Sequence, residues 1–401
     1  MTGTGTARGR RLLFAALYFS EGAPIGYLWW ALPTRLRAGG VSREDVSFLV
    51  GFLALPWAFK FLWAPLVDRF RSERFPLRAF IASAQILMAA TLLPVAFLDL
   101  GSDFAIVRAL VVAHAFAAAT QDAAIDALCI ATTPPAERAR VVGWMQVGML
   151  LGRSAFGGVA LFFAARFGDA AAIVPLVSAI LAVLVVLFAA VPRAAGEDAG
   201  REARPPILPE IRAAVRRRET WFAVAFALVA GLGFEALGAN AGPFLLERGL
   251  TQESVGLFLA IPAVAGMAAG ALAGGRLAER AGIARSVVFA QLVLGGTVLS
   301  VSATGRFGAP VPATLAALAA FYLAVGLFTA TSYALLMGAT TPRLAATQFS
   351  AYMGATNGCE ALAAFAAGAL IPRTGYAGAF AALAALALLA LPLARRAAPG
   401  R

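Results

Sequence analysis

From Leu12 onward the sequence alternates long apolar runs with short polar breaks. Hydrocarbon offers no water to backbone N–H and C=O groups, so a run of about 20 apolar residues crosses a bilayer as a helix. Such runs fall near 12–33, 46–66, 78–98, 104–130, 141–165 and 171–192, then 221–245, 254–277, 286–303, 312–338, 348–370 and 376–394. Charged residues make up 13% of the chain, against about 25% in a soluble globular protein. The expectation is an all-α membrane protein with twelve transmembrane helices in two six-helix repeats. The first run is too long and too Trp-rich for a cleaved leader and is followed by further spans, so it stays as the first helix.

The formal net charge is +12, but the arginines sit in the gaps between runs, which makes them topological signals and not a nucleic-acid surface. With the N-terminus cytoplasmic, 23 basic residues fall on the tails and loops of that side. Only seven face the other way: Arg35, Arg37, Arg43, Arg166, Arg248, Arg306 and Arg373. The asymmetry places both termini in the cytoplasm. The long polar stretch Arg193 to Thr220 divides an N-terminal six-helix bundle, 1–192, from a C-terminal one, 221–401, and forms a cytoplasmic linker, 193–220. Residues Ile207 to Glu219 carry the pattern of a short amphipathic helix on an anionic leaflet, although a plain tether is the expected form. Cys129 and Cys359 lie far apart inside apolar runs, so they read as packing residues, with no disulfide, metal site or cofactor indicated. A monomer in a bacterial-type inner membrane is expected.

Two internal repeats appear. Gly40-Val41-Ser42-Arg43-Glu44-Asp45-Val46 matches Gly249-Leu250-Thr251-Gln252-Glu253-Ser254-Val255 at an offset of 209 residues, from 40 to 249. Each copy places a Ser or Thr where it can cap the next helix. Ala64-Pro65-Leu66-Val67-Asp68-Arg69 follows the second run, and Gly275-Arg276-Leu277-Ala278-Glu279-Arg280-Ala281-Gly282 follows the eighth. Parallel repeats of this kind resemble the major facilitators, whose solute site lies near the bilayer midplane between two halves. By that resemblance Asp68, Arg69, Glu279 and Arg280 would form a cytoplasmic gate, the acids pairing with Arg residues and helix ends.

An ionisable side chain in mid-span costs roughly 2.5–3.5 kcal/mol on insertion scales, so each marks a cavity or a partner. Here they are Glu21, Lys60, Asp122, Asp126, Arg153, Glu235 and Glu360, with His114 beside them. Asp122 and Asp126 are i and i+4, hence on one helix face, where adjacent carboxylates raise each other's proton affinity. Proton coupling and permanent neutralisation by Lys60 or Arg153 both fit. The acids outnumber Lys60 and Arg153, which favours a proton site. Glu21 opens Glu21-Gly22-Ala23-Pro24-Ile25-Gly26, and Glu235 lies within Gly231 to Asn240, in corresponding spans. Paired Gly and Pro interruptions point to a substrate cavity, while close glycine packing explains the glycines alone. His114, seven residues before Gln121, reads as hydrogen-bonded packing ahead of a relay. Trp29, Trp30, Trp57 and Trp63 are anchors and packing first, with Trp57 or Trp63 also able to stack on a cargo.

Leu55-Pro56-Trp57-Ala58-Phe59-Lys60-Phe61-Leu62-Trp63-Ala64-Pro65-Leu66-Val67-Asp68-Arg69 and Ala119-Thr120-Gln121-Asp122-Ala123-Ala124-Ile125-Asp126 resemble the AmpG-type muropeptide permeases, a branch with the RhtX/FptX-type siderophore permeases and acetyl-CoA transporters. Tyr18 to Pro24 matches its first helix loosely. The resemblance implies a secondary transporter, not an enzyme, that moves a bulky polar solute such as a muropeptide inward with protons by alternating access. Asp122, Asp126, Lys60, Arg153 and Glu21 would form the proton-coupling network. Glu21, Trp57, His114, Gln121, Gln146, Glu235, Asn240 and Glu360 would line the cavity. The chain departs from the muropeptide pattern at Leu128, Cys129, Ile130 and Ala131, and at Gln146 before Val147-Gly148-Met149. Its twelve-span size suits the siderophore branch equally. An intramembrane enzyme is disfavoured because neither an Asp-Gly-x-x-Ala-Arg nor a Gly-x-Gly-Asp run occurs and there is no second histidine. A receptor that does not transport is the remaining alternative.

Overall fold

The protein is described here by a computed structural model covering residues 5–72, 75–191 and 207–397. Linker residues 193–206 and the side chains of Trp30, Arg37, Arg43, Glu44, Gln252 and Glu253 lie outside the described residues. Among the described residues no strand occurs, and besides a short helix, Ile207–Arg216, the helices fall into twelve longer runs. These are α1 (7–38), α2 (43–70), α3 (Leu77–Phe97), α4 (Phe104–Thr132), α5 (135–167), α6 (Ala170–Ala190), α7 (Arg218–Glu247), α8 (252–281), α9 (Ile283–Arg306), α10 (Val311–Gly338), α11 (345–374) and α12 (376–397).

Eight helices in the described residues are long and apolar enough to cross a membrane, and α2 makes a ninth as a span bent by 44°. Among these, α11 and α12 run on as one apolar helical stretch, Pro342–Ala397. The repeat of the sequence is realised in the backbone. Gly40 at φ 89° and Gly249 at φ 86° take the left-handed turn that only glycine adopts without strain. Two residues later Ser42 accepts from the Asp45 amide at 3.0 Å and Thr251 from the Ser254 amide at 3.2 Å. A further matched pair, Gly168 at φ 87° and Gly375 at φ 69°, separates α5 from α6 and α11 from α12; the sequence reading did not single it out.

Three expectations need correction. The segment expected as a tether contains a helix, Ile207–Arg216, in which Leu208 and Val215 are exposed and Ala214 is buried. The second span is not one straight helix: it passes through a 3-10 turn at Lys60–Leu62 and restarts at Ala64 with Pro65 in its first turn, where a missing N–H costs nothing. In α1 the run Glu21 to Gly26 stays α-helical through Pro24, and the irregularity comes one turn later as a π-helical turn at Tyr27–Ala31.

The chain forms two compact units. The first gathers α1 to α4, α5 from Trp144 onward, α6 and the segment Thr341–Ser350; the second gathers Pro135–Gly143, α7 to α10, α11 from Ala351, and α12. The first unit has a continuous core in which Tyr27, Leu28, Leu53, Met88, Leu92, Val111, Ile173 and Leu176 are buried. In both units glycine lets helices approach to backbone contact. A Cβ on Gly22 or Gly26 of α1 would strike the carbonyls of Met149 or Arg153 on α5, and one on Gly148 would strike Ala15. In the second unit a Cβ on Gly270 of α8 or Gly326 of α10 would meet Leu323 or Met267 backbone. Such small-residue seams stand in for the hydrophobic drive that lipid removes.

Candidate functional site: a buried ion network in the first unit

Lys60 occupies the junction where the α-helix of α2 gives way to its 3-10 turn. Its side chain is 2% exposed. The ammonium donates to Asp122 Oδ2 and lies 3.8 Å from Asp126 Oδ2. Both carboxylates project from one face of α4, as the i, i+4 spacing requires. Tyr18 of α1 donates its hydroxyl to Asp126 Oδ1 at 2.6 Å. Three residues along the same helix, Glu21 is 3% exposed, its Oε2 has no hydrogen-bond partner among the described residues, and it lies in electrostatic range of Asp122, Lys60, Asp126 and Arg153. Thus α1, α2 and α4 each deliver charged or hydroxyl groups to one buried point.

Around this point the structure orders further polar groups. Gln85 of α3 donates to Ser20 Oγ at 3.1 Å, and Trp63 donates its indole N–H to Thr120 Oγ1 at 3.1 Å. Gln121 is fully buried, and among the described residues neither of its amide atoms has a hydrogen-bond partner. Trp57 is half-buried edge-on to Trp29, with ring centroids 5.6 Å apart. His114 is fully buried, and its Nδ1 meets the Met88 carbonyl oxygen at 3.0 Å, a packing arrangement tying α4 to α3. Gln146 is half-buried on α5.

In the second unit the expected cavity residues do not gather in the same way. Asn240 donates to the Ala236 carbonyl of its own helix at 2.8 Å. Glu235 is half-buried and Glu360 exposed, and both act electrostatically on buried Cys359 between α7 and α11. Cys129 is also buried, packed at 3.8 Å from the Met145 sulfur. Both cysteines are packing residues.

Asp68, 4% exposed, accepts from the amides of Ala346 at 3.2 Å and Thr347 at 2.7 Å and from the Thr347 hydroxyl at 2.7 Å. It thereby caps the N-terminus of α11, where a carboxylate also meets the favourable end of the helix dipole. Arg71 donates to the carbonyls of Pro342 and Arg343. In the second unit Arg140 pairs with Glu279 at 2.6 Å. Arg69 and Arg280 are exposed. Asp68→Ala is expected to lower stability by about 1–2 kcal/mol, the cost of a lost cap, with Asp68→Asn intermediate. A thermal melt in detergent that leaves Asp68→Ala unchanged refutes the cap.

Sequence reasoning missed three partners. Tyr18 lies three residues before Glu21 on the same helix face, a spacing that was legible. Arg35 pairs with Asp169 at 2.7 Å, 134 residues away, which no local pattern reveals. In the turn before α4, Asp99 accepts from the Ser102 amide, the Ser102 hydroxyl and the Gly101 amide, and these bonds hold its carboxyl below the usual range.

A helical bundle of membrane-spanning length with an ion network sealed in its interior defines an integral membrane protein built to handle charge within hydrocarbon. The chain belongs to the Major Facilitator Superfamily, whose family model matches residues 14–304. It is 24% identical over 302 residues to the anhydromuropeptide permease of Escherichia coli (strain K12), covering 72% of this chain and 59% of that permease, so the match spans less than two thirds of the relative. An uncharacterized protein of Haemophilus influenzae (strain ATCC 51907 / DSM 11121 / KW20 / Rd) is 25% identical over 367 residues, with 86% and 84% of the two chains covered. Among solved structures, the fold is similar to the major facilitator transporter FucP in its outward conformation, with a TM-score of 0.76 at 13% identity, covering 97% of this chain and 99% of that one. The human organic anion transporter MFSD10 follows at 0.71 and 16%, covering 96% and 98%. These likenesses concern the fold.

Proposed function

We propose that the chain is a proton-coupled importer of a bulky polar organic solute, a muropeptide being the leading cargo, which works by alternating access in a bacterial inner membrane. The observation that carries the reading is the cluster of Glu21, Asp122 and Asp126 around Lys60. Even with Arg153 counted, three acids face two fixed bases. A proton is then the charge that balances the set and can also leave it. Tyr18 bonded to Asp126 supplies a hydroxyl through which a proton can pass. The muropeptide assignment rests on the similarity to the Escherichia coli permease. In this reading residues 1–192 and 221–401 are the two bundles, both termini and the 193–220 linker are cytoplasmic, Asp68 and Glu279 with Arg69 and Arg280 belong to the gate, and the protein works as a monomer.

The test uses proteoliposomes and radiolabelled anhydromuropeptide, with a siderophore as the competing cargo. Asp122→Asn and Asp126→Asn are expected to lose uptake driven by an inward proton gradient at least tenfold while retaining solute counterflow, which needs no net proton movement. Full gradient-driven uptake by both variants removes the coupling. Uptake of the siderophore in place of the muropeptide replaces the cargo, and absence of flux for either argues for a receptor.

A further inference from the structure

At one end of the second unit, the first turns of α9 and the last turn of α12 enclose a groove of about 510 Å³ lined by Ala284, Arg285, Val288, Phe289, Leu292 and Arg395. Arg285, Val288, Phe289 and Leu292 are spaced i, i+3, i+4 and i+7, so they form one continuous face of α9. Phe289 and Leu292 are half exposed, at 52% and 50%. Both arginines are exposed, and among the described residues neither pairs with a carboxylate. The neighbouring Arg396 is committed elsewhere, its guanidinium lying 5.4 Å from the centroid of the Phe222 ring of α7. That contact pins the last turn of α12 and leaves Arg395 at the groove. The groove therefore has two free cations at its mouth and an apolar wall running inward from them.

Charge and length together choose the occupant. Seven residues of helix, from Arg285 to Leu292, advance by about 10 Å, which is the step from headgroup phosphate into the upper acyl region. A free anion satisfies the arginines and leaves Phe289 and Leu292 without a partner. A neutral lipid covers the apolar wall and offers the arginines no net charge. The geometry points to an anionic phospholipid held here as a specific ligand, its phosphate between Arg285 and Arg395 and one acyl chain along Val288, Phe289 and Leu292. Basic grooves between membrane helices recognise anionic headgroups by the same chemistry. The site depends on the membrane character of the chain and not on its cargo or on proton coupling, so it stands or falls apart from the proposed transport.

The experiment titrates the delipidated, detergent-purified full chain with phosphatidylglycerol, phosphatidylcholine and inorganic phosphate, reading bound lipid by native mass spectrometry and protection by thermal melt. Phosphatidylglycerol is expected to bind and protect at concentrations where phosphatidylcholine and phosphate do not. The double variant Arg285→Gln/Arg395→Gln is expected to bind it about 25-fold more weakly, two surface arginines each contributing about fivefold. Phe289→Ala/Leu292→Ala is expected to weaken it too, by severalfold. The pair Arg306→Gln/Arg373→Gln makes the same change in net charge at sites away from the groove and is expected to bind as the parent. All variants are compared for monodispersity by gel filtration. Equal losses in both arginine pairs, unchanged phosphatidylglycerol binding in Arg285→Gln/Arg395→Gln, or equal protection by phosphate alone each overturn the proposal.

Discussion

Lys60→Met is expected to destabilise the first unit by about 3–5 kcal/mol, because removing one partner of a buried ion pair leaves its counter-charges in low dielectric without compensation. The ammonium is the donor to Asp122 and lies 3.8 Å from Asp126 Oδ2, and it is almost wholly sealed from solvent. The melting temperature in detergent should fall by several degrees. Restoring charge balance separates the pair from mere packing: Lys60→Met combined with Asp122→Asn should recover a large part of the loss, since replacing both partners is far less costly than orphaning one. If the double variant melts lower than Lys60→Met by the full cost of Asp122→Asn alone, the two residues are not coupled, and the network fails as an electrostatic unit.

Gly148→Val is the second large effect, expected to cost more than about 1–3 kcal/mol, the range for added methylenes that side chains can accommodate. Here the obstructing atoms are backbone. A Cβ at Gly148 would strike the carbonyl of Ala15, and at Gly152 it would lie 2.7 Å from the Ala23 nitrogen. The helices can only part. Since α1 carries Tyr18 and Glu21, parting also draws both away from Asp126, so the proposed transport should fall along with the melting temperature. Gly51→Ala provides the contrast: among the described residues nothing lies within 4 Å of a Cβ there, and a helical Gly to Ala change stabilises by roughly 1 kcal/mol at most. Equal melting temperatures for Gly148→Val and Gly51→Ala would falsify the close crossing of α1 and α5.

The glycines show how a pattern can be visible while its purpose is not. Gly22 and Gly26 were legible as an interruption near Glu21, with a cavity and close glycine packing both open as its purpose. Their geometry assigns them to the α1–α5 crossing, with Gly148 and Gly152 opposite. At Gly238 on α7, which belongs to the corresponding run, an added Cβ would have nothing within 4 Å among the described residues. Gly233 of that run would instead bring a Cβ to 2.9 Å from the Ala384 backbone, so one sequence feature serves both contact and open space. Nothing local distinguishes the two, because the obstructing atom belongs to a helix more than a hundred residues away.

Helix number, the duplicated Gly and Ser or Thr signals, and the presence of charges inside apolar runs were determined by the sequence alone, because each is a property of about 20 consecutive residues in a solvent without hydrogen bonds. Tertiary structure decided which charges meet. Lys60 finds Asp122 across 62 positions and Tyr18 finds Asp126 across 108, whereas Glu235 and Glu360 gather beside Cys359 instead. Electrostatic partnership depends on distances of a few ångströms in space, and spacing along a chain sets such distances only within a single helix.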